Sequence, residues 1–174
     1  MSYPKPERTN NASAQSVRWL DDNQQTSWRA MATMMARLRW ALEGQLERDA
    51  DLSFIEYHTL ARLSEGPDHT LRMSDLAVVT DASLSRLSHL MKRLEVRGLV
   101  RRQADPEDGR FTKAILTDAG YAKLVASAPA HVEAVRSFFI DELSAAELSQ
   151  LREVCERVVV RIESTSGSPR QSTP

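Results

Sequence analysis

The stretch SLSRLSHLMKRLEVRGLVRRQADPEDGRFTKAILT, residues 83–117, decides the fold, because its hydrophobic period changes half-way. From 83 to about 97, Leu84, Leu87, Leu90 or Met91, and Leu94 return at helical spacing, which predicts an amphipathic helix with a leucine inner face. Ser83, Ser85, Arg86, Ser88, His89, Lys92 and Arg93 share the outward arc. Gly98 follows where a left-handed residue ends a helix, with Leu99 available for the accompanying apolar contact. Leu99 to Arg102 is short and partly alternating, Asp105-Pro106-Glu107-Asp108-Gly109 is turn chemistry, and 111–117 can return as a second strand. Two strands around a turn after a helix pair make a wing.

Upstream, the pattern is helical. Trp28, Met31, Met35, Leu38, Leu42 and Leu46 form a stripe over about 22–49, with Asp21 or Asp22 placed to cap it and Trp19-Leu20 as a hydrophobic anchor. At ~1.5 Å per residue such a helix is on the order of 40 Å long, more than a compact monomer of this size covers. Ser53 with Glu56 is a capping box, stapled by Leu52 and Tyr57, and Gly66-Pro67 ends that helix. A short helix is expected over about 73–79. Downstream, Thr117-Asp118 starts a fifth helix to about 141, which Pro129 must kink or interrupt. Ser144 and Glu147 box a sixth, with Leu148, Leu151, Cys155, Val158 and Ile162 as its stripe. The polar ends, 1–16 and 164–174, read as disordered tails.

The class is therefore mainly α with a small β wing. Residues 50–117 form a winged helix-turn-helix lobe, while 17–49 and 118–163 form a separate helical region. The 174 residues suffice for a sizeable core. No apolar run approaches the roughly 18 residues of a membrane span, and nothing resembles a secretory signal. One cysteine excludes an internal disulfide and fits a reducing cytoplasm. Histidines 58, 69, 89 and 131 lack zinc-ligand spacing, so no metal or other cofactor is expected.

Net charge is only −1, but it is unevenly spread. Residues 86–113 hold eight bases against four acids, and 133–163 hold four bases against seven acids. Concentrated positive charge can face phosphates while the rest stays soluble. A solvated helix face is the plain alternative. The argument for DNA is geometric: one helix braces a second, whose short polar and cationic side chains fit a major groove. Hydroxyls can bond phosphates or base edges, and Arg86 is placed for bidentate contact with guanine. No Gly-rich phosphate loop or nucleophile elbow argues for an enzyme. A winged module that binds protein instead of DNA is the other competing function.

In combination, Leu76-Ala77, Leu87, Leu90-Met91-Lys92-Arg93-Leu94-Glu95, Gly98-Leu99-Val100-Arg101-Arg102, Asp105 to Arg110 and Leu116-Thr117-Asp118-Ala119-Gly120 resemble the MarR family of bacterial transcriptional regulators. The likeness is close over this central stretch and, as an order of helices, extends over about 22–163. It implies a homodimer, interlocked through the first, fifth and sixth helices, acting as a ligand-responsive repressor on a pseudo-palindromic operator. Helix 83–97 would enter the major groove and the wing the minor groove of double-stranded DNA. The usual wing pattern, Asp-x-Arg-Asp-x-Arg, is altered here: Asp105, Asp108 and Arg110 are kept, but Glu107 replaces the first arginine. Wing contact then rests on Arg110 with help from Lys113, or else Asp105 and Asp108 brace Arg110 while Glu107 points to solvent. His89 stands where the family often has arginine, and its charge near pH 6.5 would make affinity pH-sensitive.

Members of the family often release DNA when a small aromatic or phenolic effector enters the crevice between the dimer and DNA lobes. By that resemblance, Trp28, Met31, Met35, His58 and Arg62 line such a crevice. A dimer core would show the same helical spacing and is the plainer reading. Cys155, on an apolar stripe, reads as a structural thiol and not a redox sensor.

Overall fold

The computed structural model describes residues 17–80, 82–105 and 108–166. The expected tail at 1–16, the residues beyond 166, and Pro106 and Glu107 of the wing lie outside the described residues. Contacts divide the chain between Trp40 and Ala41. The first unit contains the leading part of helix α1 (Asp22–Ala50), started by a reciprocal cap. The Gln24 N–H donates to Asp21 Oδ1 (2.8 Å) and the Asp21 N–H to Gln24 Oε1 (3.0 Å). Trp28, Met31, Met34, Met35 and Trp40 are all exposed along it.

The second unit is a winged lobe followed by two long helices. Its elements are α2 (Phe54–Glu65), β1 (Thr70–Arg72), α3 (Met73–Val79), α4 (Leu84–Val96), β2 (Val100–Ala104), β3 (Thr112–Leu116), α5 (Asp118–Phe138) and α6 (Ala145–Ser166). The capping box read from Ser53 and Glu56 is present at α2, with both reciprocal bonds formed (2.9 and 3.4 Å). A second box holds Ser144 and Glu147 at the start of α6. Gly98 is left-handed at φ 71° and turns the chain from α4 into β2, as a glycine without a Cβ can at little steric cost.

The core joins the end of α1 to the whole lobe. Leu46, Leu60, Leu63, Leu76, Leu87, Met91 and Leu94 are completely or almost completely buried, with Ala114 and Leu116 of β3 closing the sheet side. β3 lies between the other two strands, pairing antiparallel with both. Leu116 faces Val100 in one ladder, and Lys113 faces Arg72 in the other.

Four expectations change. Leu84 is 58% exposed, because it opens α4 beyond the end of the buried stripe, so the inner face consists of Leu87, Leu90, Met91 and Leu94. β1 has no counterpart in the sequence pattern; it is three residues long and exists by pairing with β3. α5 runs through Pro129 without interruption and ends at Phe138, before a short 3-10 turn. Pro129 and Val125, whose carbonyl loses its i+4 donor, are both on the exposed side, where water can replace the missing bond. Residues 164–166, expected to belong to the tail, are the last residues of α6. Near its end the Ser164 and Thr165 hydroxyls both donate back to the Arg161 carbonyl (2.9 and 2.8 Å).

A buried polar group ties α5 into this unit. Gln45 donates its side-chain amide to Asp49 Oδ2 (3.0 Å), which leaves Oε1 to accept from His131 Nδ1 (3.1 Å). The His131 ring also packs on Tyr57 with centroids 4.4 Å apart. Burial lowers the His131 pKa from its ordinary value near 6.5. The folded protein therefore holds fewer protons here than the unfolded chain. The resulting stability is complete above the unfolded pKa and is lost as pH falls through the lowered folded value. Melting temperature should fall as pH drops below about 6.5, well before the carboxylates protonate, and His131→Gln should flatten that slope. An unchanged slope in the variant would assign the titration elsewhere.

Candidate nucleic-acid interface

α4 presents the face that its sequence pattern describes. Ser83, Ser85, Arg86, Ser88, His89, Lys92 and Arg93 are all exposed, while Leu87, Leu90, Met91 and Leu94 are buried. Ser83 is the N-cap, and its Oγ accepts from the Arg86 N–H (3.3 Å), leaving its own hydroxyl hydrogen available. α3 braces the helix from behind through buried Leu76 and Ala77, and the Ala82 N–H bonds the Ala77 carbonyl across the short break (3.0 Å). Toward the C-terminal end of α4, His89, Lys92, Arg93, Val96 and Arg97 line a shallow hollow. Four of those five can carry positive charge. No sequence signal singled out Arg97, which caps the helix.

The wing is held to this helix. Glu95 on α4 accepts from the Arg102 backbone N–H (2.8 Å) and from its Nε and Nη2 (2.9 and 2.6 Å). The guanidinium lowers the Glu95 pKa, chiefly through these side-chain bonds, so the clamp stays ionised at neutral pH. Arg102 Nη1 also reaches Ser88 Oγ (3.4 Å), so one recognition-face hydroxyl is already engaged.

At the far end of the hairpin, Arg110 and Asp108 are joined side by side. Arg110 Nη2 lies 2.7 Å from Asp108 Oδ2, and its Nε lies 3.0 Å from Oδ1. The Arg110 side chain remains 87% exposed. Asp105 does something else. It is fully buried and pairs with Lys113 Nζ (3.0 Å) and Arg72 Nη2 (3.3 Å), linking the wing to β3 and β1. Of the two acids it is Asp108 that braces Arg110 among the described residues, which corrects the alternative in which both do so. Lys113 is half-buried and committed to Asp105, which sets it apart from the exposed cations. Arg72 also stacks over Phe111, 4.6 Å from the ring centroid.

The five residues read as an effector crevice are divided between the two units. Trp28, Met31 and Met35 belong to the first unit, where all three are exposed. His58 is half-buried in the second, against Phe54 (4.1 Å between centroids) and Tyr57 (5.9 Å). Arg62 is exposed and pairs with Glu65 at 2.9 Å. Cys155 is exposed on α6 in the single chain. Among the described residues no His, Cys, Asp and Glu cluster has the arrangement of a metal site, and no helix is long and apolar enough to cross a membrane.

These features have counterparts in known proteins. A MarR family model matches residues 50–110, the braced helix pair and most of the wing. A MarR family transcriptional regulator from Streptomyces coelicolor, Sco3205, solved in complex with DNA, is 40% identical. That match covers 84% of this chain and 91% of the other, with a TM-score of 0.81. AbsC, a MarR family regulator from the same organism, is 36% identical over 85% of this chain and 99% of its own, with a TM-score of 0.82. A mutant MarR from E. coli complexed with operator DNA shares the fold at 19% identity, covering 76% of this chain and 93% of its own, with a TM-score of 0.68. A search of curated protein sequences finds no match. With the fold, the order of elements and two relatives above one-third identity all in agreement, the chain belongs to the MarR family of transcriptional regulators.

Proposed function

We propose that the protein is a sequence-specific double-stranded DNA-binding regulator that acts as a homodimer on a pseudo-palindromic operator, most simply as a ligand-responsive repressor. The observation that carries this reading is α4: seven polar or cationic side chains exposed on one face, with its leucines buried on the other. A helix so held fits a major groove about 12 Å wide, with its N-terminal residues nearest the bases. Arg86, in the first turn, is the base reader, and Lys92, Arg93 and Arg110 are phosphate contacts. Ser85 and His89 serve either edge, whereas Ser83 and Ser88 contribute what their existing bonds leave over. Lys113 supports the wing from behind through Asp105.

The pairing of two copies is supported by α6, in which no described residue is buried within one chain, although Val154, Val158 and Ile162 recur along it at helical spacing. A dimer would set the two α4 helices on half-sites roughly 34–36 Å apart. The effector part of the reading follows from the family; in the second unit its aromatic setting is the ring cluster of Phe54, Tyr57, His58 and His131.

Fluorescence anisotropy tests the whole reading. A duplex selected from a random pool should bind more tightly than a scrambled one, with a steep salt dependence from released counterions, and aromatic acids should weaken the complex. Arg86→Ala should cost about 1–3 kcal/mol on the selected duplex and little on the scrambled one. Equal losses on both would remove Arg86 from base reading. Absence of salt-dependent binding to any duplex would favour a protein partner for the winged lobe.

A further inference from the structure

The DNA-facing helix is anchored at its C-terminal end by two carboxylates from the corner between α1 and α2. Glu56 is buried, and its primary task is local, since Oε2 accepts the Ser53 N–H of the capping box (2.9 Å). The same carboxylate also meets α4. Arg93 Nε lies 3.4 Å from Glu56 Oε1, and Arg97 Nη1 lies 3.6 Å from Oε2. Arg97 Nη2 in addition donates to the Asp51 carbonyl (2.5 Å) and to Asp51 Oδ2 (3.1 Å). Two arginines of the basic hollow thus share two acids, at a place where the helix should offer cations to a phosphate backbone.

A capping box alone does not require this. Glutamine serves at that position as well as glutamate, so a negative charge in the box is not dictated by helix capping. Nor does the corner need an aspartate charge. Asp51 is left-handed at φ 49°, a conformation that asparagine adopts as readily, and its side chain is 95% exposed. What the two charges add is a link to Arg93 and Arg97. Glu56 engages Arg93 through Nε, and the Arg93 side chain remains 60% exposed.

We propose that Glu56, seconded by Asp51, is a positioning residue of the DNA face: it orients Arg93 and Arg97 and offsets part of their charge, thereby limiting how many cations α4 releases to phosphate. Non-specific affinity is held down while the oriented arginines keep their geometry. Discrimination between operator and bulk DNA rises as a result, since it is the ratio of those affinities that matters. The inference rests on the DNA-binding reading above.

The test uses the full-length protein and a random duplex, so no operator need be known. The slope of log K against log[salt] is measured for the wild type, Glu56→Gln and Asp51→Asn, with melting curves in parallel. Glutamine keeps the capping box, and asparagine keeps the left-handed corner. Each variant should steepen the slope by about one, the equivalent of one additional phosphate neutralised, and should bind random duplex several-fold more tightly at low salt. Adding Arg93→Gln to Glu56→Gln should bring the slope back toward that of the wild type. Should Glu56→Gln fail to fold, Asp51→Asn carries the same prediction from an exposed position. Slopes unchanged in a folded Asp51→Asn and Glu56→Gln, with or without a change in melting temperature, would overturn the inference and leave the carboxylates purely structural. A wild type that does not bind duplex at all would sink the DNA reading instead, and that outcome is visible before any variant is compared.

Discussion

Gly120→Ala should destabilise the protein by about 3 kcal/mol or more, with a fall in melting temperature of roughly 10 °C. Gly120 lies in the first turn of α5, where its N–H bonds Thr117 Oγ1 (3.0 Å). A Cβ there would overlap the Leu99 carbonyl oxygen and stand 2.7 Å from Leu116 Cδ1 and 2.9 Å from the Leu99 carbonyl carbon. The helix cannot easily withdraw. The Thr117 N–H bonds the same Leu99 carbonyl (3.1 Å), and the Thr117 hydroxyl donates to the Gly98 carbonyl (2.7 Å). Backbone meets backbone, so rotamer change offers no relief, and the first turn of α5 must lift off the Gly98–Leu99 turn that follows α4. Gly109→Ala is the matched control: a Cβ there meets nothing within 4 Å, and the change should stay within about 0.5 kcal/mol. Urea or thermal melts of the two variants settle the point, and equal melting temperatures would contradict so close an approach at Gly120.

The second large effect is expected from Val158→Asp combined with Ile162→Asp. Both side chains lie on the same stripe of α6, 50% and 57% exposed in the single chain. As surface substitutions on a lone helix they should change the stability of one chain little. In a dimer that covers α6, each would bury an unpaired carboxylate, which costs several kcal/mol and favours separation. Two half-sites gripped together gain roughly 10²–10⁴ in avidity over one, so operator affinity should fall by that order. Sedimentation together with anisotropy distinguishes the outcomes. A double variant that sediments as the wild type does, with operator affinity intact, would place the interface elsewhere.

What could be read from the chain alone follows the range of the interactions involved. Ser53 with Glu56, Ser144 with Glu147, and Gly98 after α4 are local devices, and each sits where its spacing puts it. The outward arc of α4 is equally legible, because Leu87, Met91 and Leu94 fix which side must face away. Periodicity does not say where a stripe stops, and Leu84 goes to solvent for that reason. β1 has too few residues to show any period; it depends on an edge supplied by β3. Pro129 obeys its position on the outer side of α5 and not the general rule for proline. The ion pairs are the least visible. Arg97 finds Asp51 46 positions away, and Asp105 finds Arg72 on a strand the sequence does not announce. Choosing among several arginines and acids needs the fold first.

The strand order β1-β3-β2 leaves the longer outer strand, β2, with Arg101, Arg102 and Gln103 exposed along it, and the opposite border is only three residues long. Such a border is a poor template for another chain, since adding a neighbour would stack guanidinium against guanidinium over a ladder that is too short to compensate. Copies brought close together can therefore stay separate at their sheets instead of fusing into fibrils.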